Sequence, residues 1–325
     1  MTLMLNREDV ISVLNMRDCM DVIEKAFSEL ASGTAVLPLR TNIKPPDGLS
    51  LYMPAYLKDM GALACKIVSV YKQNPEKFQL PTILGKVLLQ DPETGDVICI
   101  MDGGYLTAVR TGAASGVATK YLSRDDPGQT AGIFGTGVQA RTQLWAVSEA
   151  RTLTKVLVYD LSDQAVESFI EEMSRKLDLE IKKADSPDAL LEADILCTAT
   201  SSPEPVFDGA KVKAGTHING IGSHTPNTRE LDTEIIKKAK FIGDSKEACF
   251  NEAGDIMIPL KEGSIEESHF HAELGEIITG KKTGRENKDE ITIFKSNGLA
   301  VQDAATAKLV FDRAKEAGTG QEIRI

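Results

Sequence analysis

A chain of 325 residues is long enough for about two domains at roughly 150 residues each, and its 42 % hydrophobic content leaves ample material for their cores. A formal net charge of −11 repels polyanions and argues against nucleic acid as a partner, whose affinity comes largely from phosphate neutralisation by Lys and Arg. Five scattered cysteines (Cys19, Cys65, Cys99, Cys197, Cys249) without CxxC spacing argue against a disulfide framework or a zinc ribbon and fit reduced thiols.

The first nine residues turn polar too soon to be the apolar core of a signal peptide, and no run approaches the ~18 apolar residues of a membrane span. The expectation is a soluble, cytoplasmic protein with neither membrane nor nucleic acid as a partner. Asn15 is placed to cap a helix reaching to about Gly33, along which Met16, Cys19, Met20, Ile23, Ala26, Phe27 and Leu30 recur at helical spacing. Strand-like runs follow at 49–54, 62–70, 83–90 and 97–101, separated by turns at 46–48 and 91–95. Strand following strand predicts an antiparallel sheet.

Asp125-Asp126-Pro127-Gly128-Gln129 marks a change of character. Strands now alternate with helices: 130–134 before a helix from Val138, 156–159 before one from Asp163, then strands at 195–199 and 216–221. This is the pattern of a parallel sheet covered by helices. A last helix, 300–317, is free in sequence to return to the first domain.

Ile133-Phe134-Gly135-Thr136-Gly137-Val138-Gln139-Ala140 reads as strand, tight turn and helix start. Gly135 permits the turn, Gly137 lets the backbone approach a pyrophosphate, and Ala140 allows close helix–strand packing. The motif gains weight from Asp160, an acid near the ~20-residue offset where a ribose hydroxyl is read. Leu161 and Ser162 follow it, with no Arg to hold a 2′-phosphate, so NAD is favoured over NADP. The alternative reading makes Asp160 the cap of the next helix.

On the substrate side, alternation places Lys66 on one strand face with Ala64, Val68 and Val70. A lysine on an apolar face is costly unless used, and burial lowers its pKa toward a value suited to proton transfer at a substrate nitrogen. The alternative is a lysine snorkelling from a sheet edge. Arg110, at the mouth of a helix that continues Thr111-Gly112-Ala113-Ala114-Ser115-Gly116, is positioned to clamp a carboxylate, and Arg40 is a second such cation. Both residue types also serve as surface ion-pair partners. His269 and His271 invite a metal reading, but no third ligand lies at a suitable spacing, so no metal site is assigned.

The chain resembles the ornithine cyclodeaminase/μ-crystallin family, which includes archaeal-type alanine dehydrogenase and cyclic-imine reductases. The resemblance rests on Leu80-Pro81-Thr82, Met101-Asp102, Arg110-Thr111-Gly112-Ala113-Ala114, the Gly135–Ala140 loop, His217-Ile218-Asn219-Gly220-Ile221-Gly222-Ser223, and Ser296-Asn297-Gly298-Leu299-Ala300-Val301-Gln302-Asp303. It implies an α/β fold: a Rossmann-type parallel-sheet domain at 126–299 and a discontinuous α+β dimerisation and substrate domain at 1–125 with 300–325. It further implies a homodimer with NAD(P) in the cleft between domains. Arg40, Lys66 and Arg110 match substrate carboxylate contacts, with Lys66 assisting proton transfer. Thr82, Arg110, Thr111, Gly135, Gly137, Val138, Gln139, Asp160, Leu161, Ser162, Thr198, Gly222, Ser223 and Ser296 are the implied cofactor positions.

The sequence departs from the family's cyclodeaminases at two places. His224 stands where they, and the similar alanine dehydrogenase, carry an Asp, and no acid lies near Leu51-Tyr52-Met53-Pro54 to meet an ornithine side-chain amine. His224 retains acid–base capacity without being a permanent anion. The expected function is NAD(H)-dependent hydride transfer on a small amino or imino acid, of the alanine dehydrogenase or pyrroline-2-carboxylate reductase type. An ornithine cyclodeaminase with bound NAD and a μ-crystallin-like NAD(P)H and small-ligand binder are the alternatives.

Overall fold

The computed structural model describes residues 1–324. The chain divides into two units, Met1–Arg110 with the chain from Leu299 onward, and Thr111–Gly298.

The first unit opens with strands β1 (Thr2–Leu5), β2 (Ala35–Val36), β3 (Thr41–Ile43), β4 (Leu49–Leu57), β5 (Ala62–Val70), β6 (Ile83–Gln90) and β7 (Val97–Asp102). Its helices are α1 (Arg7–Val13), α2 (Met16–Ser32), α3 (Asn74–Phe78) and the first part of α4 (Gly103–Leu122). β4 to β7 pair antiparallel in chain order, as consecutive strands with short connections predict. α2 begins at Asn15, whose side chain accepts from the Asp18 amide at 2.9 Å, and ends at Gly33 with φ 78°. β1 pairs parallel to β7, and α1 is closed by a reciprocal Asn6–Asp9 capping box. Both lie in a stretch too short for periodicity to declare.

α4 starts earlier than the sequence suggests. Arg110 is in its third turn, not at its mouth. Asp102 caps it by accepting from the Tyr105 amide at 2.9 Å, and a Cβ on Gly103 would stand 2.8 Å from the Gly85 carbonyl carbon. The glycine there serves close approach to β6, which hides the helix start from a propensity reading.

The second unit contains β8 (Gln129–Phe134), α5 (Val138–Ala150), β9 (Leu153–Tyr159), α6 (Asp163–Leu177), β10 (Ile181–Lys183), β11 (Ile195–Thr198), β12 (His217–Gly220), α7 (Thr233–Lys238), β13 (Lys240–Gly243), α8 (Lys246–Glu252), α9 (Gly254–Lys261), β14 (Phe270–Glu273), α10 (Leu274–Ile278) and β15 (Thr292–Lys295). Its sheet has the order β10-β9-β8-β11-β12-β15-β13-β14, and every pair is parallel. One core packs α5 and α6 on one face through Leu144, Val147, Val166 and Phe169. A second fills the other face around Phe207, Leu231, Ile235 and Ile256. The strand order reverses between β8 and β11, the point at which doubly wound sheets open a crevice at their carboxyl ends. The small run Thr111–Gly116 packs as its composition demands: a Cβ on Gly112 would lie 2.4 Å from the Thr142 carbonyl oxygen of α5.

The chain then re-enters the first unit with α11 (Ala300–Ala317) and β16 (Gln321–Ile323), which pairs with β1. α11 packs on α2, β4 and β5. Its buried face is mostly small (Ala300, Ala304, Ala305, Ala307), which brings the helix close to the sheet.

Candidate active site

Lys66 lies on β5, between β4 and β6, in the interior of the first sheet. It is not a snorkelling edge lysine: it is 2 % exposed. Its cross-strand neighbours in register are Met53 and Val87, and Met101 continues the row beyond Val87. Apolar walls of this kind make a lone ammonium expensive. Asp303 of α11 supplies the compensation, with Oδ2 2.7 Å from Lys66 Nζ. Its other oxygen accepts from Arg110 Nε at 2.9 Å, and Arg110 Nη1 donates to Gln302 Oε1 at 2.7 Å. One buried carboxylate thus holds two buried cations, brought from a strand and a helix far away in the chain.

The electrostatics follow from this count. Burial draws the Lys66 ammonium from its ordinary 10.5 down to about 8. Asp303 pulls in the opposite direction, while Arg110 and then Arg40 push the value down further. Arg40 is half-buried and near enough to act on Lys66 through its charge. Asp303 and Gln302 carry no role in the sequence reading. The available signal was an Asp–Gln pair on the small, apolar face of a helix, beside Val301 and Ala304.

In the second unit the glycine loop has the form the motif predicts. Gly135 has φ 95°, and a Cβ there would stand 2.7 Å from the Ala199 carbonyl oxygen, so the loop rests directly on the chain leaving β11. Gly137 is the N-cap of α5, makes no side-chain cap bond, and has open space where a Cβ would be. No acid occupies the first turn of α5. The amides of Val138, Gln139 and Ala140, in the first turn of a helix with no side-chain cap and open space beside Gly137, fit a pyrophosphate. Val138 is exposed and Gln139 half-buried.

Asp160, directly after β9, accepts from the Thr136 amide and hydroxyl at 2.9 and 2.8 Å through one oxygen. The other accepts from the Ser162 amide at 3.1 Å. Asp160 does not cap α6; Ser162 does, accepting from the Ala165 amide. Leu161 between them is 93 % exposed. Thr198, at the end of β11, has a buried hydroxyl with no hydrogen-bond partner among the described residues. Ser223 is buried and donates to the Thr228 carbonyl, and the Gly222 amide donates to Glu230 at 2.6 Å. Ser296 is buried and donates to Asp244 at 3.2 Å.

The remaining candidates are more scattered. Thr82 sits before β6, where its carbonyl accepts from the Tyr71 amide at 2.8 Å. The Thr111 carbonyl accepts from the Gln143 side chain at 3.4 Å. His224 is exposed on the turn after β12, with Nδ1 3.1 Å from the Gly222 carbonyl oxygen. His269 and His271 each turn Nε2 toward a backbone carbonyl, of Ile236 and Thr283, at 2.5 and 2.8 Å.

A family model described as "Ornithine cyclodeaminase/mu-crystallin family" matches residues 1–318. The chain belongs to that family. Among its members, the Δ1-pyrroline-2-carboxylate reductase of Bacillus cereus is 38 % identical over 325 residues, covering 99 % of each chain. The structure of the Thermococcus litoralis Δ1-pyrroline-2-carboxylate reductase, in complex with NADH and L-proline, superposes with a TM-score of 0.94 at 51 % identity. The match covers 99 % of this chain and 100 % of that one. An archaeal alanine dehydrogenase dimer with bound NAD gives 0.93 at 37 % identity, with 100 % and 99 % covered.

Proposed function

We propose that this family member is an NAD(H)-dependent oxidoreductase acting on the C–N bond of a small imino or amino acid, with Δ1-pyrroline-2-carboxylate as its leading substrate. The observation that carries this reading is the buried Lys66–Asp303–Arg110 cluster. Two cations and one anion leave a net positive centre with apolar neighbours, suited to a carboxylate that brings its own negative charge. The identities and the ligands of the pyrroline-2-carboxylate reductase and alanine dehydrogenase relatives support the same choice.

NAD supplies the hydride chemistry when bound, held by the Gly135–Gln139 loop, the start of α5 and Asp160. Arg110 and Arg40 hold the substrate carboxylate and fix the orientation of the imine. Lys66, as the ammonium, would give its proton to the imine nitrogen as that nitrogen becomes an amine, which leaves a neutral lysine to be reprotonated. In the oxidative direction the neutral amine takes that proton back. Met53 is the register partner of Lys66 in the stretch where the family resemblance would put a cyclodeaminase's acid for a side-chain amine, and this supports a substrate without such an amine. Asp160 accepts from ribose hydroxyls and repels a 2′-phosphate, which favours NADH over NADPH.

The test is oxidation of NADH, with NADPH in parallel, against Δ1-pyrroline-2-carboxylate, Δ1-piperideine-2-carboxylate and pyruvate with ammonium. Turnover with a cyclic imine, faster with NADH, is the expected result. Ammonia release from ornithine without net NADH change would replace this reading with the lyase.

The protein is also proposed to be a homodimer formed through the first unit. Ile43, Ile83 and Leu84 are exposed at one end of its sheet, aligned through Ser50, Ser69 and Val70 in register, and Phe78 and Leu80 are exposed just before β6. An exposed apolar group of this kind marks an interface, and a two-fold contact uses it twice. Ile83→Glu with Phe78→Glu is expected to convert a dimer to a monomer by light scattering. A wild-type monomer at micromolar concentration would end the proposal. The five free cysteines support a reducing compartment for the chain.

A further inference from the structure

Glu230 is fully buried, in the chain between β12 and α7. One of its oxygens accepts from the Thr200 amide and the Thr200 hydroxyl, each at 2.6 Å. The other accepts from the Gly222 amide at 2.6 Å. Thr200 lies just beyond the end of β11 and Gly222 just beyond β12, so a single carboxyl group ties the loops leaving two adjacent parallel strands. All three of these hydrogen bonds are accepted by Glu230, the pattern an ionised carboxylate satisfies, even though burial pushes the group above its usual range.

The contact reaches further in both directions. A Cβ on Gly135 would lie 2.7 Å from the Ala199 carbonyl oxygen and 3.2 Å from Thr200 Cγ2, so the glycine loop is seated on the segment that Glu230 holds. A Cβ on Gly222 would come within 2.2 Å of the Thr200 carbonyl oxygen and 2.4 Å of Glu230 Cδ, so the two loops meet without room for a side chain. Behind them the Glu230 and Leu231 amides donate to Asp255 at 2.8 and 2.9 Å. Asp255 in turn pairs with Lys295 at 2.8 Å, and Lys295 also donates to the Ser223 carbonyl oxygen. The whole assembly stands at the carboxyl ends of the strands beside the topological switch point.

We infer that Glu230 is a positioning residue that clamps the loops after β11 and β12 together and thereby holds the glycine loop in its dinucleotide-binding conformation. This inference rests on the cofactor reading above. In Glu230→Gln the amide must turn its NH2 group toward Thr200 or Gly222, so a donor faces a donor and one loop is released. Exchange of the backbone amides around Thr200 and Gly222, followed by hydrogen–deuterium mass spectrometry without cofactor, is expected to speed up while α6 stays protected. NADH binding, followed by its fluorescence, is expected to weaken about tenfold. In turnover the loss falls on KM for NADH and not on KM for the imino acid.

Thr200→Val, which removes only the hydroxyl, is expected to show the same pattern at smaller amplitude and serves if the first variant does not fold. Unchanged amide exchange in the folded variant overturns the clamp. Faster exchange with unaltered NADH affinity overturns its role in the cofactor site. If the wild type does not bind NADH, the cofactor reading falls with the positioning role, and the exchange measurement still decides the clamp.

Discussion

Lys66→Met is expected to lower kcat/KM for imine reduction by roughly 100- to 10,000-fold, the span of a lost general acid, with NADH affinity unchanged. Methionine keeps much of the length and the apolar stem while removing the proton. Asp303 keeps Arg110 as its partner at 2.9 Å, so the variant does not strand a buried anion, and loss of activity separates from loss of fold. The wild-type pH profile checks the same group. With Lys66 titrating at about 8, kcat/KM for reduction is level below that value and falls above it, as the ammonium loses the proton the nitrogen needs. Amine oxidation needs the neutral lysine, so its profile is the mirror image and rises toward a plateau above about 8. Retained turnover in Lys66→Met, measured by NADH absorbance, removes Lys66 from the mechanism.

The second large effect belongs to Asp303. Asp303→Ala removes the acid that pairs with both Lys66 and Arg110, two buried cations. Breaking a buried ion pair by deleting one partner costs about 3–5 kcal/mol, and urea denaturation should register a loss of that order. The cost is divided unequally. Lys66 can shed its proton and become neutral, whereas the Arg110 guanidinium cannot, and Gln302 is left as its remaining acceptor within the cluster. Asp303→Asn preserves the volume and isolates the charge. Asp303 holds the Lys66 proton on, so its neutral replacement lets that proton go more easily. The falling limb of the reductive profile therefore moves to lower pH. An unshifted limb in a folded Asp303→Asn enzyme would mean that the carboxylate does not govern Lys66.

Much of this protein is visible in one dimension because its signals are local. The helix from Asn15 to Gly33 is announced by its cap, its apolar stripe and its terminal glycine, all within one segment. The Gly135–Ala140 loop is recognisable because the turn, the bare helix start and the strand before it are contiguous. Lys66 stands out by parity alone: in a strand that alternates, it falls on the apolar side. Other features resisted such reading, among them β1, α1 and the start of α4 at Gly103. At Gly103 the glycine answers to its close approach to Gly85, a neighbour in space that no local pattern shows.

The tertiary structure alone decided which charges meet. Lys66, Arg110 and Asp303 are separated by up to 237 positions, the difference between 66 and 303, and no periodicity links them. They converge because α11 returns to cover β5, and its small residues let Asp303 reach the strand. Glu230 likewise acquires meaning only when β11 and β12 lie side by side and their loops offer it three donors. Periodicity and capping report what a segment prefers for itself, and here they sufficed for α2, β4 to β9, α5, α6, α11 and the glycine loop. The partners of a buried charge are set by strand order and helix packing, so the groups that tune Lys66 and hold the loops emerged only from the fold.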